Sequence, residues 1–326
     1  MFKKICFCLA GIYVFSLFFS YKPYIPAYNP KTDYIKWFEF NISSDALTHC
    51  AKIDINSLNS GKKISWIDIL AVLCCKYGGD FKNYKNSHAD DIANELKSGK
   101  SAFDISKKSK DFYYYYDGIY AILSGMVGYY KSNVSGKEEI YYGVKAFSPI
   151  AEGYSFSHYK DFGAKRTYGF SRPHLGNDLL GSVGTPIAAV ESGIVEAIGW
   201  NMYGGWRIGI RSMDSCRYYY YAHLRKDRPY VKDLKVGDLV TAGDIIGYLG
   251  MTGYSTIENT NNINTPHLHF GMQLIFDESQ KDANSEIWID VYNIIEFLRP
   301  YSVTVKKDEN GDFKRVYQMS DPDLYD

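Results

Sequence analysis

Ile64, Ile67, Leu70, Ala71, Cys74 and Tyr77 recur at intervals of three and four. That spacing predicts an amphipathic helix, stopped at Gly78 and Gly79, where a left-handed cap costs little. A second, short helix is expected after Asp90. Tyr115, Ile119, Ile122, Leu123, Met126, Val127 and Tyr130 predict a third, ending among the small and polar residues of 128–136. At Val144 the pattern changes. Up to about Leu274 the chain is short apolar runs divided by glycines, such as 186–190, 193–198, 206–210 and 245–249, the signature of an all-β domain of many short strands. Further on, 291–298 reads as one short helix. Asn310-Gly311, between the apolar runs 303–307 and 313–317, is a hairpin turn signal.

Ahead of these elements, residues 5–19 run without a charge behind Lys3 and Lys4, which has the form of an export signal. The run is shorter than the roughly twenty residues that span a bilayer, yet no Ala-x-Ala-like cleavage site follows it. Residues 1–20 are therefore expected to be a signal peptide or a membrane anchor, with the lysines inside and everything after Ser20 outside. Pro23, Pro26 and Pro30 suggest an extended linker, so that 21–60 holds a linker and the start of an accessory region. A helical accessory domain over 61–143, a β domain over 144–300 and a hairpin tail over 301–326 complete the expected organisation. The fold class is multidomain: a mainly antiparallel β domain preceded by a small α-helical domain and an N-terminal hydrophobic segment.

With 326 residues, 46% of them hydrophobic, the chain can bury more than one core. Lys plus Arg and Asp plus Glu total 37 each, so no net field points to nucleic acid, and no nucleic-acid partner is expected. The six cysteines follow no zinc or disulfide spacing and read as small hydrophobes or free thiols. The 31 tyrosines, with runs at 113–116 and 218–221, read as packing residues with wet hydroxyls.

The chemistry concentrates in the stretch 264–273. If Pro266 ends the preceding pairing and 267–274 run as a strand, His267 and His269 share one face while Leu268 and Phe270 take the other. Upstream, His174-Leu-Gly-Asn-Asp178 offers an imidazole and a carboxylate at a spacing of four, which a strand would also put on one face. Gly176 between them permits a bend or a close backbone approach. A catalytic zinc takes three ligands from His, Asp or Glu and leaves a position open, whereas structural sites are closed by four and usually include Cys. The candidates here are His174, Asp178 and one of His267 or His269. Tyr220-Tyr-Ala-His223 adds His223 as a further base at the end of a tyrosine-rich strand.

In chain order stand His-x-Gly-x-Asp at 174–178, Tyr-Ala-His-Leu at 221–224, Val-Gly-Asp-x-Val-x-Ala-Gly-x-x-Ile-Gly at 236–247 and His-Leu-His-Phe at 267–270. This series, over about residues 145–300, resembles the LytM and lysostaphin type of zinc metallopeptidase, the cell-wall glycyl-glycine endopeptidase group. The resemblance implies one Zn2+ per chain, held by His174, Asp178 and His269, with His223 and His267 as catalytic histidines free of the metal. It also implies a small antiparallel sheet flooring a groove, and peptidoglycan as the partner, outside the cytoplasm. The chain departs from that pattern in a polar insertion at 256–264, which would stand at a groove wall. A loop at 201–206 would either offer aromatic contacts or simply end a hairpin. The alternative function is a non-catalytic scaffold or regulator of the same fold.

Overall fold

The computed structural model describes residues 34–133, 137–281, 284–316 and 319–321. The signal or anchor reading of 1–20 and the prolines of the linker lie outside the described residues. Among the described residues, no helix is long and apolar enough to cross a membrane.

Among the described residues five α-helices precede the sheets: α1 (Ser44–Ser57), α2 (Trp66–Tyr77), α3 (Asn86–Lys97), α4 (Ala102–Ile105) and α5 (Phe112–Leu123). The helix read from the Ile64 periodicity is α2. Its Ser65 side chain accepts from the Ile67 amide, and Gly78 closes it at φ 61°. α1 falls inside the region expected to be mostly linker. It has a helix start signal of its own, Ser43 accepting from the Ala46 amide, and buries Ala46, Leu47, Cys50 and Ala51 along one stripe.

The third predicted helix is too long. α5 stops at Leu123, and Val127 and Tyr130 belong instead to strand β1 (Val127–Asn133), paired with β2 (Glu138–Val144). Their helical spacing was coincidental. After the turn at Ser124 and Gly125, a β-branched and aromatic run meets a second one, and the rings of Tyr129 and Tyr142 pack across the strands at 4.8 Å. Met319–Ser320 adds a third strand to this small sheet.

The large sheet has eight strands, all its pairs antiparallel. Its labelled members are β3 (Ser157–His158), β4 (Asn177–Leu180), β5 (Gly193–Asn201), β6 (Gly205–Ser212), β7 (Arg217–Ala222), β8 (Leu239–Val240), β9 (His267–Leu274) and β10 (Ile287–Ile289). Their order is β8-β5-β6-β7-β9-β4-β3, with β10 also pairing β9. The short helix expected at 291–298 is α6 (Tyr292–Leu298), and the tail hairpin pairs Val305–Lys307 with Phe313–Arg315 across the Asn-Gly turn. Tyr317, expected in that hairpin, lies outside the described residues.

One face of the sheet is apolar and continuous with the helices. Leu47, Leu70 and Ile122 belong to the same buried cluster as Ile208, Tyr219, Phe270 and Phe297. Trp66 at the start of α2 meets Phe297 of α6 with ring centroids 5.8 Å apart. Arg217 crosses this boundary. Its fully buried guanidinium donates to both oxygens of Glu191 at 2.8 Å, to Asp214, and to the Ala121 carbonyl at the end of α5. Removing Glu191 would take away the buried carboxylate that meets the guanidinium at two nitrogens and leave it the partly exposed Asp214. Glu191→Ala is expected to lower stability by about 3–5 kcal/mol, read as a shifted midpoint in urea unfolding, while Glu191→Gln, which keeps a hydrogen-bond acceptor, loses less.

Candidate metal centre

Alternation along β9 decides which side chains reach the open face of the sheet. Leu268, Phe270, Met272 and Leu274 are buried in the core, and His267 and His269 face the other way. In the register, Asp178 of β4 lies directly opposite His269, and Ala222 of β7 lies opposite it on the other side. His174 does not continue β4. It follows the two-residue strand Arg172–Pro173, and the chain turns through Leu175 and Gly176 before pairing resumes at Asn177. The single-strand expectation for 174–178 is therefore corrected, although the bend still brings His174 Nε2 to 3.0 Å from Asp178 Oδ1. Gly176 is needed for this: a Cβ there would stand 2.6 Å from the Phe270 carbonyl and 2.8 Å from the His269 ring.

Three ligand atoms converge. His174 Nε2 is 2.7 Å from His269 Nδ1, and His269 Nδ1 is 3.3 Å from Asp178 Oδ1. Among the described residues these three form the one His/Cys/Asp/Glu group able to hold a metal ion. A tetrahedral ion with bonds of about 2.0–2.1 Å needs ligand atoms roughly 3.3 Å apart. Two imidazole nitrogens and one carboxylate oxygen in a nearly closed triangle are a donor set that would fit such an ion after slight opening.

The tautomers are set by backbone carbonyls, which can only accept. His174 Nδ1–H donates to Asp161 O at 3.0 Å, which turns Nε2 towards Asp178 and His269. His223 Nδ1–H donates to Thr252 O and His267 Nδ1–H to Thr265 O, each at 2.8 Å, so each keeps Nε2 as a base. His223 follows β7 in a left-handed conformation, φ 60°, which turns its ring to within 4.8 Å of the His267 ring. The five predicted residues are thus brought together, His174, Asp178 and His269 in one triangle and His223 and His267 beside it.

Electrostatics follow from burial and partners. Burial opposes charge on Asp178, but hydrogen bonds from His174 and His269 outweigh it and hold the carboxylate well below its ordinary range. For His174, burial works downward, yet its bonds to Asp161 and Asp178 raise it to about 9. His223 is pushed well below the usual imidazole range, first by burial and then by the fields of His267 and His269, which keeps it neutral.

Two positioning residues gave no sequence signal. Asp161 accepts from His174, and Arg166 Nη2 bridges Asp161 Oδ2 and Asp178 Oδ2, each at 2.9 Å, leaving Asp178 Oδ1 for the metal. Asp161 lies in a loop, and Arg166 in a two-residue strand. Arg166→Gln is expected to weaken metal binding about 10–100-fold, measured by competition with a chromophoric chelator, with the thermal midpoint little changed.

The centre opens onto a groove of about 790 Å³. Its floor is the sheet, and its rim includes Tyr203 and Tyr254. The 201–206 loop is the β5–β6 hairpin end and also presents Tyr203 to the groove. The insertion is tied to that hairpin: Asn259 Oδ1 accepts from Trp206 Nε1 at 2.9 Å, and Asn262 to Asn264 line the groove.

Residues 172–283, which carry all of these ligands, match the model of peptidase family M23. The domain belongs to peptidase family M23. Over 124 residues the chain is 39% identical to the L-Ala--D-Glu endopeptidase of Bacillus subtilis (strain 168), covering 38% of this chain and 36% of that protein. Over 98 residues it is 43% identical to lysostaphin of Staphylococcus staphylolyticus, covering 30% of this chain and 18% of that one. The chain thus spans about a third or less of the length of these curated relatives. A solved structure of a lytM-type protein from Ruminococcus gnavus ATCC 29149 is similar in fold, with a TM-score of 0.52 at 19% identity over 84% of this chain and 94% of that one. Mainly antiparallel sheets with a few helices ahead of the M23 domain are common ground with the expected fold class.

Proposed function

We propose that this chain is an exported zinc metalloendopeptidase that hydrolyses peptide bonds in peptidoglycan cross-links or stems. The observation that carries the reading is the triangle of His174, Asp178 and His269 at the edge of a groove, with two further imidazoles whose Nε2 atoms are free. The match of residues 172–283 to family M23 supports it, as do relatives named as endopeptidases, among them a peptidoglycan DD-endopeptidase of Vibrio cholerae. One Zn2+ per chain would be held by the three ligands, where it would polarise the scissile carbonyl and acidify a water. The substrate places the activity outside the cytoplasm, in line with the apolar N-terminal run.

This chain's own residues do the rest. The groove floor holds the peptide extended along the sheet. His223 and His267 divide two tasks: one accepts a proton from the attacking water at Nε2, and the other, after taking up a proton at Nε2 from solvent, donates a hydrogen bond to the oxygen as charge develops and gives that proton to the leaving amine, the first returning its proton to solvent. His267 Nε2 lies 3.6 Å from Asp178 Oδ1, which places this imidazole next to the ligand set. Asp161 and Arg166 keep His174 and Asp178 in position.

The reading is tested by incubating the full chain with purified peptidoglycan and following release of new amino groups. Release that a chelator stops and added zinc restores is expected. Release unaffected by thorough chelation would exclude the metallopeptidase reading.

A further inference from the structure

Among the described residues, one cation of the groove has no ion-pair, hydrogen-bond or ring partner for its side chain. Five basic residues line it. Arg166 pairs with Asp161 and Asp178, and Arg211 and Lys281 pair with Glu196. Arg172 lies over the Tyr203 ring at 4.5 Å and donates to the Tyr168 carbonyl. Arg207 has no carboxylate, carbonyl or ring partner among the described residues, and its Nε is buried without a hydrogen bond.

Its placement follows from strand alternation. Ile208 and Ile210 are buried in the core, so Arg207 and Arg211 point to the groove face with Gly209 between them. The Tyr218 ring fills the space over Gly209, where a Cβ would meet its hydroxyl at 1.8 Å. Arg207 lines the groove together with Tyr218 and Tyr220, and its Nε is shielded from water. Register puts it near the metal centre: Ile208 pairs with Tyr221, and the next residue of β7, Ala222, pairs with His269. Arg207 is thus two strands from His269, roughly 10 Å at the usual strand spacing, or within about three residues of an extended peptide.

A planar, partly desolvated guanidinium with free donors is matched by a carboxylate, which it can grip through two parallel hydrogen bonds. We infer that Arg207 is a specificity-determining residue. It binds a free carboxylate of the substrate close to the scissile bond, so the chain acts on acidic peptides in preference to neutral ones such as oligoglycine. This rests on the peptidase reading above, and goes beyond it in naming the substrate class.

The test uses two synthetic stem peptides, identical except that the internal glutamyl residue carries either a free α-carboxylate or a carboxamide. Hydrolysis of both is compared with the zinc-loaded full chain, and binding of both is measured by calorimetry after chelation. The carboxylate peptide is expected to be favoured about tenfold or more in kcat/KM and in Kd. Arg207→Gln should abolish that preference with the melting temperature unchanged, and Arg207→Lys should retain part of it. Equal use of the two peptides by the wild-type chain, or a preference that survives Arg207→Gln, would overturn the inference. A binding preference that depends on Arg207, with no hydrolysis of either peptide by the zinc-loaded chain, would support the inference while contradicting the peptidase reading.

Discussion

Asp178→Ala is expected to reduce zinc from one ion per chain to near zero and to bring peptidoglycan hydrolysis below detection. Asp178 is the anionic member of the proposed ligand set, and its Oδ1 faces both His174 Nε2 and His269 Nδ1 at 3.0 and 3.3 Å. Without it two neutral imidazoles remain, a set too small to hold zinc firmly against water. His174→Ala and His269→Ala should behave alike, because each also removes one corner of the same triangle. The fold should survive all three changes, since the residues lie on the groove face and the packing below depends on Leu179, Leu268 and Phe270. Metal analysis of the purified variants, beside their circular dichroism, checks this. A variant that keeps a full zinc complement would remove its residue from the ligand set.

The second large effect is kinetic. His223→Ala and His267→Ala are each expected to keep one zinc per chain and to lose about 10²–10⁴ in kcat. Neither imidazole belongs to the triangle, and each has its Nδ1–H committed to a backbone carbonyl, Thr252 O for His223 and Thr265 O for His267. What they offer the substrate is Nε2. Full activity in His267→Ala would sink its assignment. Loss of metal in either variant would show that the residue serves the ligand set instead. His223→Gln should recover little, because an amide can hydrogen-bond an oxygen but cannot carry the proton.

Much of this site could be read from the chain because the relevant geometry is local. A strand of period two sends His267 and His269 one way and Leu268 and Phe270 the other, so one short stretch specified both a face of the core and a face of the site. The α2 helix was equally legible, with its Ser65 cap, its apolar stripe and its Gly78 stop. Less legible was anything set by partners distant in sequence. Val127 and Tyr130 keep helical spacing, and only pairing with β2 makes them a strand. His174 and Asp178 were expected on one strand, whereas Gly176 lets the chain bend and the pairing of β4 with β9 brings the carboxylate to His269. Asp161, Arg166 and Arg207 carried no spacing signal, since their roles come from what lies across the groove.

The most direct test of the central claim is the chemical identity of what the full chain releases. Purified peptidoglycan treated with the zinc-loaded protein, and in parallel with the His269→Ala variant, should be analysed by mass spectrometry for new amino termini. New termini within the peptide stems or cross-links are expected from the wild-type chain and none from the variant. Intact peptides from a wild-type protein carrying one zinc per chain would contradict it.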